Sequence, residues 1–225
     1  MIGNYTAGQQ CSILEFIGEK PFIAVGKLNF LPEGYDTVSY DAHGALVLAL
    51  DALRKANVKN FLFVEGKDMA DIPFFYQKIT SINAYINEHP EMHLESFIQS
   101  KDFGSDYGYM AIKEYLEQGG IIPEGIFTAN DPLAIGVIKG LTKKGYKIGS
   151  QISLVSINGD NVGEWTTPRL TSVDIKAHQM GIEAVALLHQ KIDFPSSEPR
   201  FVSFKPVLVE RDSIWRKQTT NFTES

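Results

Sequence analysis

The chain has 225 residues, 44% hydrophobic and 21% charged, which suits one large globular domain or two small ones and excludes a small cross-linked scaffold or a disordered tail. Its formal net charge of −6 denies it the dense positive footprint that phosphate-backbone binding needs, so the polypeptide alone is not expected to bind nucleic acid. A single cysteine, Cys11, excludes an internal disulfide, and with five scattered histidines it makes no metal-ligand spacing; neither metal nor cofactor is expected.

In chain order, MIGNY reads as the tail of a strand and Gln9 to Gly18 as a helix. This opening lacks the basic region and continuous apolar run of an export signal, and no later run approaches the roughly 20 apolar residues of a membrane span. A cytoplasmic protein is expected. PFIAVG (Pro21 to Gly26) is the first full strand candidate, and a parallel sheet around it needs strand partners on both sides. The residues ahead of it hardly supply them, so sequence is expected to be missing upstream.

Leu28 to Thr37, with Pro32 and Gly34, reads as an irregular connection. His43 to Asn57 has helical spacing, with Leu46, Leu50 and Leu53 on one face, Asp41 ahead of it and Asn57 as a left-handed exit. Next come the strand NFLFVE (Asn60 to Glu65), a helix from Pro73 to Glu88, the strand LESFIQ (Leu94 to Gln99) and a helix from Ser105 to Gln118. The strand GIFTAN (Gly125 to Asn130) leads into a helix from Pro132 to Lys144, with Asp131 as its expected N-cap, Pro132 in the first position and Gly145 at its end. ISLVSI (Ile152 to Ile157), a loop from Asn158 to Pro168, a helix from Ala177 to Lys191, the polar FPSSEP and a last strand candidate, KPVLVER, complete the pattern. Strand and helix alternate and the strands are almost continuously apolar, which predicts an α/β fold with a parallel sheet covered on both faces.

Catalytic patterns are missing from this reading. Ser12, Ser81 and Ser153 lie in no nucleophile-elbow context, and His43, His89, His93, His178 and His189 pair with no carboxylate or metal pattern. Pro90 interrupts the helix on which His89 and His93 would have to stand to share a metal. An enzyme is not expected.

The segment IFTANDPLAIGVIKGLTKKGYKIGSQISLVSINGDN resembles the effector-binding core of the LacI/GalR family of bacterial transcriptional regulators. PRLTSV (Pro168 to Val173) is similar to the family's P-x-L-T-[ST]-[VI] stretch, QMGIEAVALL to the helix that follows, and LVERDS (Leu208 to Ser213) to its closing L-x-x-R-x-S. These elements cover most of residues 120 to 213 in order and at family spacing, and PFIAVG, VSYDAHGALVLALDAL and KNFLFVEG extend the match more loosely upstream.

The resemblance implies a periplasmic-binding-protein-like type I fold, with two parallel-sheet α/β subdomains joined by three crossovers and a ligand in the cleft between them. It assigns 1–38 plus 174–199 to an incomplete N-terminal subdomain, 39–173 plus 200–215 to the C-terminal effector-binding subdomain and 216–225 to a tail. The family's helix-turn-helix domain and first βα units have no counterpart here, so the sequence resembles a fragment or a product with a misplaced start. The function implied is effector binding and homodimerisation in a regulator of carbohydrate genes, with operator DNA reached only through that helix-turn-helix. A sugar-binding protein of a transport system has the same architecture and is the alternative; PRLTSV and LVERDS favour the regulator.

Sugars are held by planar amides and carboxylates that pair with vicinal hydroxyls and by an aromatic face stacked on the ring. By resemblance Asn130 faces the effector, whereas for Asp131 helix capping is the preferred role. Asn158 stands where many members place an effector-binding aspartate; Asp160 either substitutes for it or belongs to a solvated turn in N-G-D. Phe103 falls where members place a stacking aromatic, core packing being the alternative. Tyr76 falls near a position commonly held by arginine, and without that arginine a neutral sugar is favoured over an acidic or phosphorylated one. Trp165 and Ile135 fall at the family's homodimer contact, ordinary core burial being the alternative for Ile135.

Overall fold

Strands buried on both faces need helices on both, and the computed structural model, which describes residues 15–18, 20–26, 35–66 and 73–215, has that arrangement. The larger sheet contains β3 (Asn60–Gly66), β4 (His93–Ser100), β5 (Gly125–Thr128), β6 (Ser153–Asn158), β7 (Thr171–Asp174) and β9 (Val207–Val209), in the order β4-β3-β5-β6-β7-β9. All its neighbouring strands run parallel except β9, which is antiparallel to β7. A second, parallel sheet is formed by β1 (Ala24–Val25), β2 (Thr37–Tyr40) and β8 (Phe201–Phe204), with β2 in the centre.

Side chains alternate across a strand, so each strand feeds two cores. Phe61, Phe63, Phe127, Val155 and Val173 point to one face, where they meet Leu46, Leu50 and Leu53 of α1 (Ala42–Lys55) and Ile82 and Tyr85 of α2 (Pro73–Glu88). Leu62, Val64, Ile126 and Leu154 point to the other, against Ala111 and Ile112 of α3 (Ser105–Glu117) and Val137, Ile138 and Leu141 of α4 (Asp131–Lys143). Met180 and Leu187 of α5 (Ala177–Asp193) cover Ile23 and Val38 of the small sheet. Tyr40, the last residue of β2, packs against both the large-sheet and the small-sheet cluster, so the two lobes touch there.

Helix α3 lies close to α4 because a glycine on each, Gly108 and Gly136, faces the other. A Cβ on Gly136 would stand 2.0 Å from the Ser105 carbonyl oxygen, and one on Gly108 2.3 Å from that of Leu133. Helix α1 starts as expected, the Asp41 carboxylate accepting the Gly44 N–H at 2.8 Å, and Asn57 leaves it with φ +60°. For α4 the sequence expectation is corrected by one residue. The cap is Asn130, whose Oδ1 accepts the Leu133 N–H at 2.8 Å, while Asp131 is the first helical residue.

Among the described residues the chain passes between the sheets three times, after β2, after β7 and between β8 and β9. The boundaries expected at 39 and 200 are displaced. Thr37–Tyr40 and Phe201–Phe204 hydrogen-bond to each other in the small sheet, so the crossings fall at Asp41 and at Lys205–Pro206. Most of the expected Gln9 to Gly18 helix, residues 27–34 and the tail 216–225 lie outside the described residues. No helix among the described residues is long and apolar enough to cross a membrane.

Candidate functional site

In an open α/β sheet the loops leaving the carboxyl ends of the strands gather ligand-binding groups. Asn158 is directly opposite Asp174 in the β6/β7 register. Continuing the β5/β6 register from Phe127 and Val155 sets Asn130 opposite Asn158, and continuing β3/β5 from Val64 and Thr128 sets Gly66 opposite Asn130. Gly66, Asn130, Asn158 and Asp174 therefore form a row across the carboxyl edge of the large sheet.

The two asparagines of that row differ in their commitments. Asn130 caps α4 with its oxygen and donates its Nδ2 to the Phe103 carbonyl at 3.3 Å, so it ties the end of β5 to the loop after β4. Asn158 has φ +132°, an unusual conformation for a side chain other than glycine, and its carboxamide has no hydrogen-bond partner among the described residues. It is half-buried. Phe103 is also half-buried, and its ring lies against Gly66, where an added Cβ would come within 2.6 Å of ring atoms. The structure thus brings together Gly66, Phe103 and Asn130, with Asn158 on the adjacent strand end.

Asp131 is fully buried behind this row. Its Oδ1 accepts the Ser172 hydroxyl and its Oδ2 the Asp160 N–H, each at 2.6 Å. Burial pushes its pKa up, and the hydrogen bonds from Ser172, Ser156 and the Asp160 amide counter only part of that effect. Asp131 therefore fixes the loop that follows Asn158 and is not available to a ligand. The Asp160 N–H is held in that bond and its side chain caps nothing; the residue is half-buried. Gly159, at φ +74°, lies so close to Asp174 that a Cβ would stand 2.4 Å from its Cα. Asp174 in turn accepts both the backbone N–H and the Nζ of Lys176, each at 2.7 Å.

Tyr76 belongs to the first turn of α2, and its side chain lies outside the described residues. Ile135 is half-buried on α4, and Trp165, at the end of a short 3-10 turn, is 87% exposed. Among the described residues, no group of three or more His, Cys, Asp or Glu side chains is placed to hold a metal ion.

Sequence reasoning passed over Glu65, Lys78 and Tyr40. Glu65 is fully buried at the end of β3, where its Oε2 receives the Lys78 Nζ at 2.5 Å and its Oε1 the Gly66 N–H at 3.2 Å. Its charge adds to the burial of Tyr40, and together they push that phenol up to about 12. The available signal was a charged residue closing the otherwise apolar run NFLFV, since a buried carboxylate requires a partner. A hollow of about 540 Å³ opens at the opposite edge of the sheet, lined by Asn60, Glu95, Ile121, Glu124, Tyr146 and Gln151. It lies at the amino ends of the strands and contains none of the candidate residues.

Comparison with known proteins agrees with this architecture. The regulator GalR of Lacticaseibacillus casei is 27% identical over 218 residues, an alignment that covers 94% of this chain and 64% of that protein. The chain therefore spans less than two thirds of the length of this relative. A LacI family transcriptional regulator from Enterococcus faecium, solved with bound ribose, superposes with a TM-score of 0.77 at 22% identity, covering 91% of this chain and 75% of that one. A complex of the transcriptional regulator CelR with cellobiose gives a TM-score of 0.73 at 22% identity, covering 86% and 58%. At these identities the two structures show a shared fold. The profile of the periplasmic binding protein-like domain matches residues 77–214, more than half of the chain, and the protein belongs to that family.

Proposed function

We propose that this chain is the effector-binding and dimerisation part of a LacI/GalR-type transcriptional regulator of carbohydrate genes, that it works in the cytoplasm, and that its effector is a neutral sugar. The observation that carries the proposal is the row at the carboxyl edge, where the Asn158 carboxamide, without a hydrogen-bond partner among the described residues, stands across from Asn130, which in turn reaches the Phe103 carbonyl. An amide donates and accepts at once, which matches paired hydroxyls, and an aromatic ring offers a face to the sugar's C–H patch. The comparisons support the reading, since the curated relatives are transcriptional regulators and two neighbours in fold were solved with ribose and cellobiose.

In this reading the sugar sits between the two lobes, and binding changes their relative orientation about the three crossings. The exposed Trp165 and the half-buried Ile135 contribute to a homodimer contact. Operator recognition belongs to a helix-turn-helix of the kind named in the relatives, not to the acidic polypeptide described here. The test is thermal unfolding of the chain against neutral mono- and disaccharides, with ribose and cellobiose included. A ligand that binds only the folded state raises the midpoint with concentration. At least one neutral sugar is expected to do so saturably; a panel without any saturable shift contradicts the reading.

A further inference from the structure

We propose that Asp174 is a further sugar-contacting residue, a carboxylate that accepts a hydroxyl proton beside the Asn158 carboxamide and makes the site select for a hydroxyl at one ring position. The inference rests on the neutral-sugar reading above and deepens it. Asp174 is the register partner of Asn158, so their backbones stand about 4.8 Å apart at the carboxyl edge. Side chains alternate along β7, and Ser172, two residues earlier, reaches Asp131 of α4. Asp174 therefore projects to the α4 side of the sheet, the side on which the Phe103 ring lies against Gly66. The neighbouring loop fixes it there: a Cβ on Gly159 would stand 2.5 Å from the Asp174 Cβ and 3.1 Å from its Cγ. Its side chain is 27% exposed, unlike the fully buried Asp131.

The bonds that Asp174 already makes leave it acceptor capacity. Oδ1 receives the Lys176 N–H and Oδ2 the Lys176 Nζ, each at 2.7 Å, whereas an ionised carboxylate has about four lone-pair sites. Lys176 has φ +64°, a backbone turn that brings both of its nitrogens to the one carboxylate. The ammonium balances the carboxylate charge within the chain, so the pair offers hydrogen bonding without net charge, which suits an uncharged ligand. A hydroxyl donates to the carboxylate. A deoxy position leaves that acceptor unpaired, and a site built for a hydroxyl rejects the analogue that lacks it.

The experiment measures dissociation constants of the full chain by calorimetry for each neutral sugar that responds in the thermal panel and for its monodeoxy analogues. Ribose with 2-deoxyribose, and glucose with its 2-deoxy, 3-deoxy and 6-deoxy forms, are the first sets. Wild type is expected to bind one deoxy analogue at least tenfold more weakly than the parent sugar. In Asp174→Ala the parent weakens at least tenfold and comes within a factor of about two of that analogue, a result that general loosening would not give, because it weakens both alike. Should Asp174→Ala fail to fold, Asp174→Asn with Lys176→Met decides: the amide oxygen keeps the backbone N–H of residue 176, the second acceptor is gone, and the same discrimination should collapse. The proposal is overturned by a wild type indifferent to every single deoxygenation, or by a folded Asp174 variant that keeps the wild-type ratio of parent to analogue throughout. Those outcomes leave the neutral-sugar site at Asn158 standing. A panel in which no neutral sugar responds overturns both readings together.

Discussion

At the scale of single residues, the polar groups left for a ligand are those the fold has not already used. Asp131 is used: it receives Ser172 and the Asp160 amide and thereby sets the position of the loop after Asn158. Asp131→Ala should leave those donors without an acceptor and cost about 2 kcal/mol in a urea denaturation at neutral pH, with Asp131→Asn losing clearly less. Equal losses for both would contradict the hydrogen-bonding role. Tyr40 gives a pH prediction with a definite sign. Its phenol, pushed from 10.0 up to about 12 by burial and by Glu65, keeps its proton in the folded chain after the unfolded chain has lost its own. Stability should therefore fall as pH rises through that window, and Tyr40→Phe should remove that part of the fall; a stability curve unchanged by the substitution would count against it. Asn130 shows what one sequence can tell. The strand–Asn–Asp–Pro order located the start of a helix and a candidate contact, but which of the two acidic-amide neighbours would cap it depends on the backbone entering from β5.

At the scale of elements, close approach of α3 to α4 depends on glycine where most helices would prefer alanine. Gly136→Ala gains helix propensity of about 1 kcal/mol. The new methyl, however, would overlap the Ser105 carbonyl 2.0 Å away, so a net loss of about 2 kcal/mol is expected. Gly181 on α5 has nothing within 4 Å of an added Cβ, and Gly181→Ala should stabilise by about 0.5–1 kcal/mol. Thermal unfolding of the two variants side by side checks both signs; stabilisation by both would show that the helices separate freely. The long strands and helices were legible because their apolar periodicity runs for several residues, as in Asn60–Gly66 and Ala42–Lys55. Thr37–Tyr40, Thr171–Asp174 and Phe201–Phe204 were not legible as strands. Each is four residues long and carries serine, and their pairing is set by distant partners, as Thr37 with Phe201. Missing Phe201–Phe204 is also why the last crossing was expected five residues early.

At the scale of the whole molecule, an 87% exposed tryptophan is a large apolar surface to leave in water, and a second copy of the chain is its proposed cover. Trp165→Ser should weaken self-association at least tenfold in sedimentation analysis, and an unchanged equilibrium would remove this loop from the dimer contact. The fold class was readable from alternation and from the resemblance; the charge balance at the meeting of the lobes was not, because Glu65 and Lys78 come together only when α2 folds back beside β3. The central claim is that the carboxyl edge of the large sheet grips a neutral sugar through Asn158, and Asn158→Gly tests it with little structural penalty. Glycine accepts a φ of +132° more readily than asparagine, so the variant should be at least as stable as wild type. Calorimetric titration of the responding neutral sugar into the two proteins is the decisive measurement. Affinity is expected to fall at least tenfold in a fully folded Asn158→Gly, and undiminished affinity in that variant would contradict the claim.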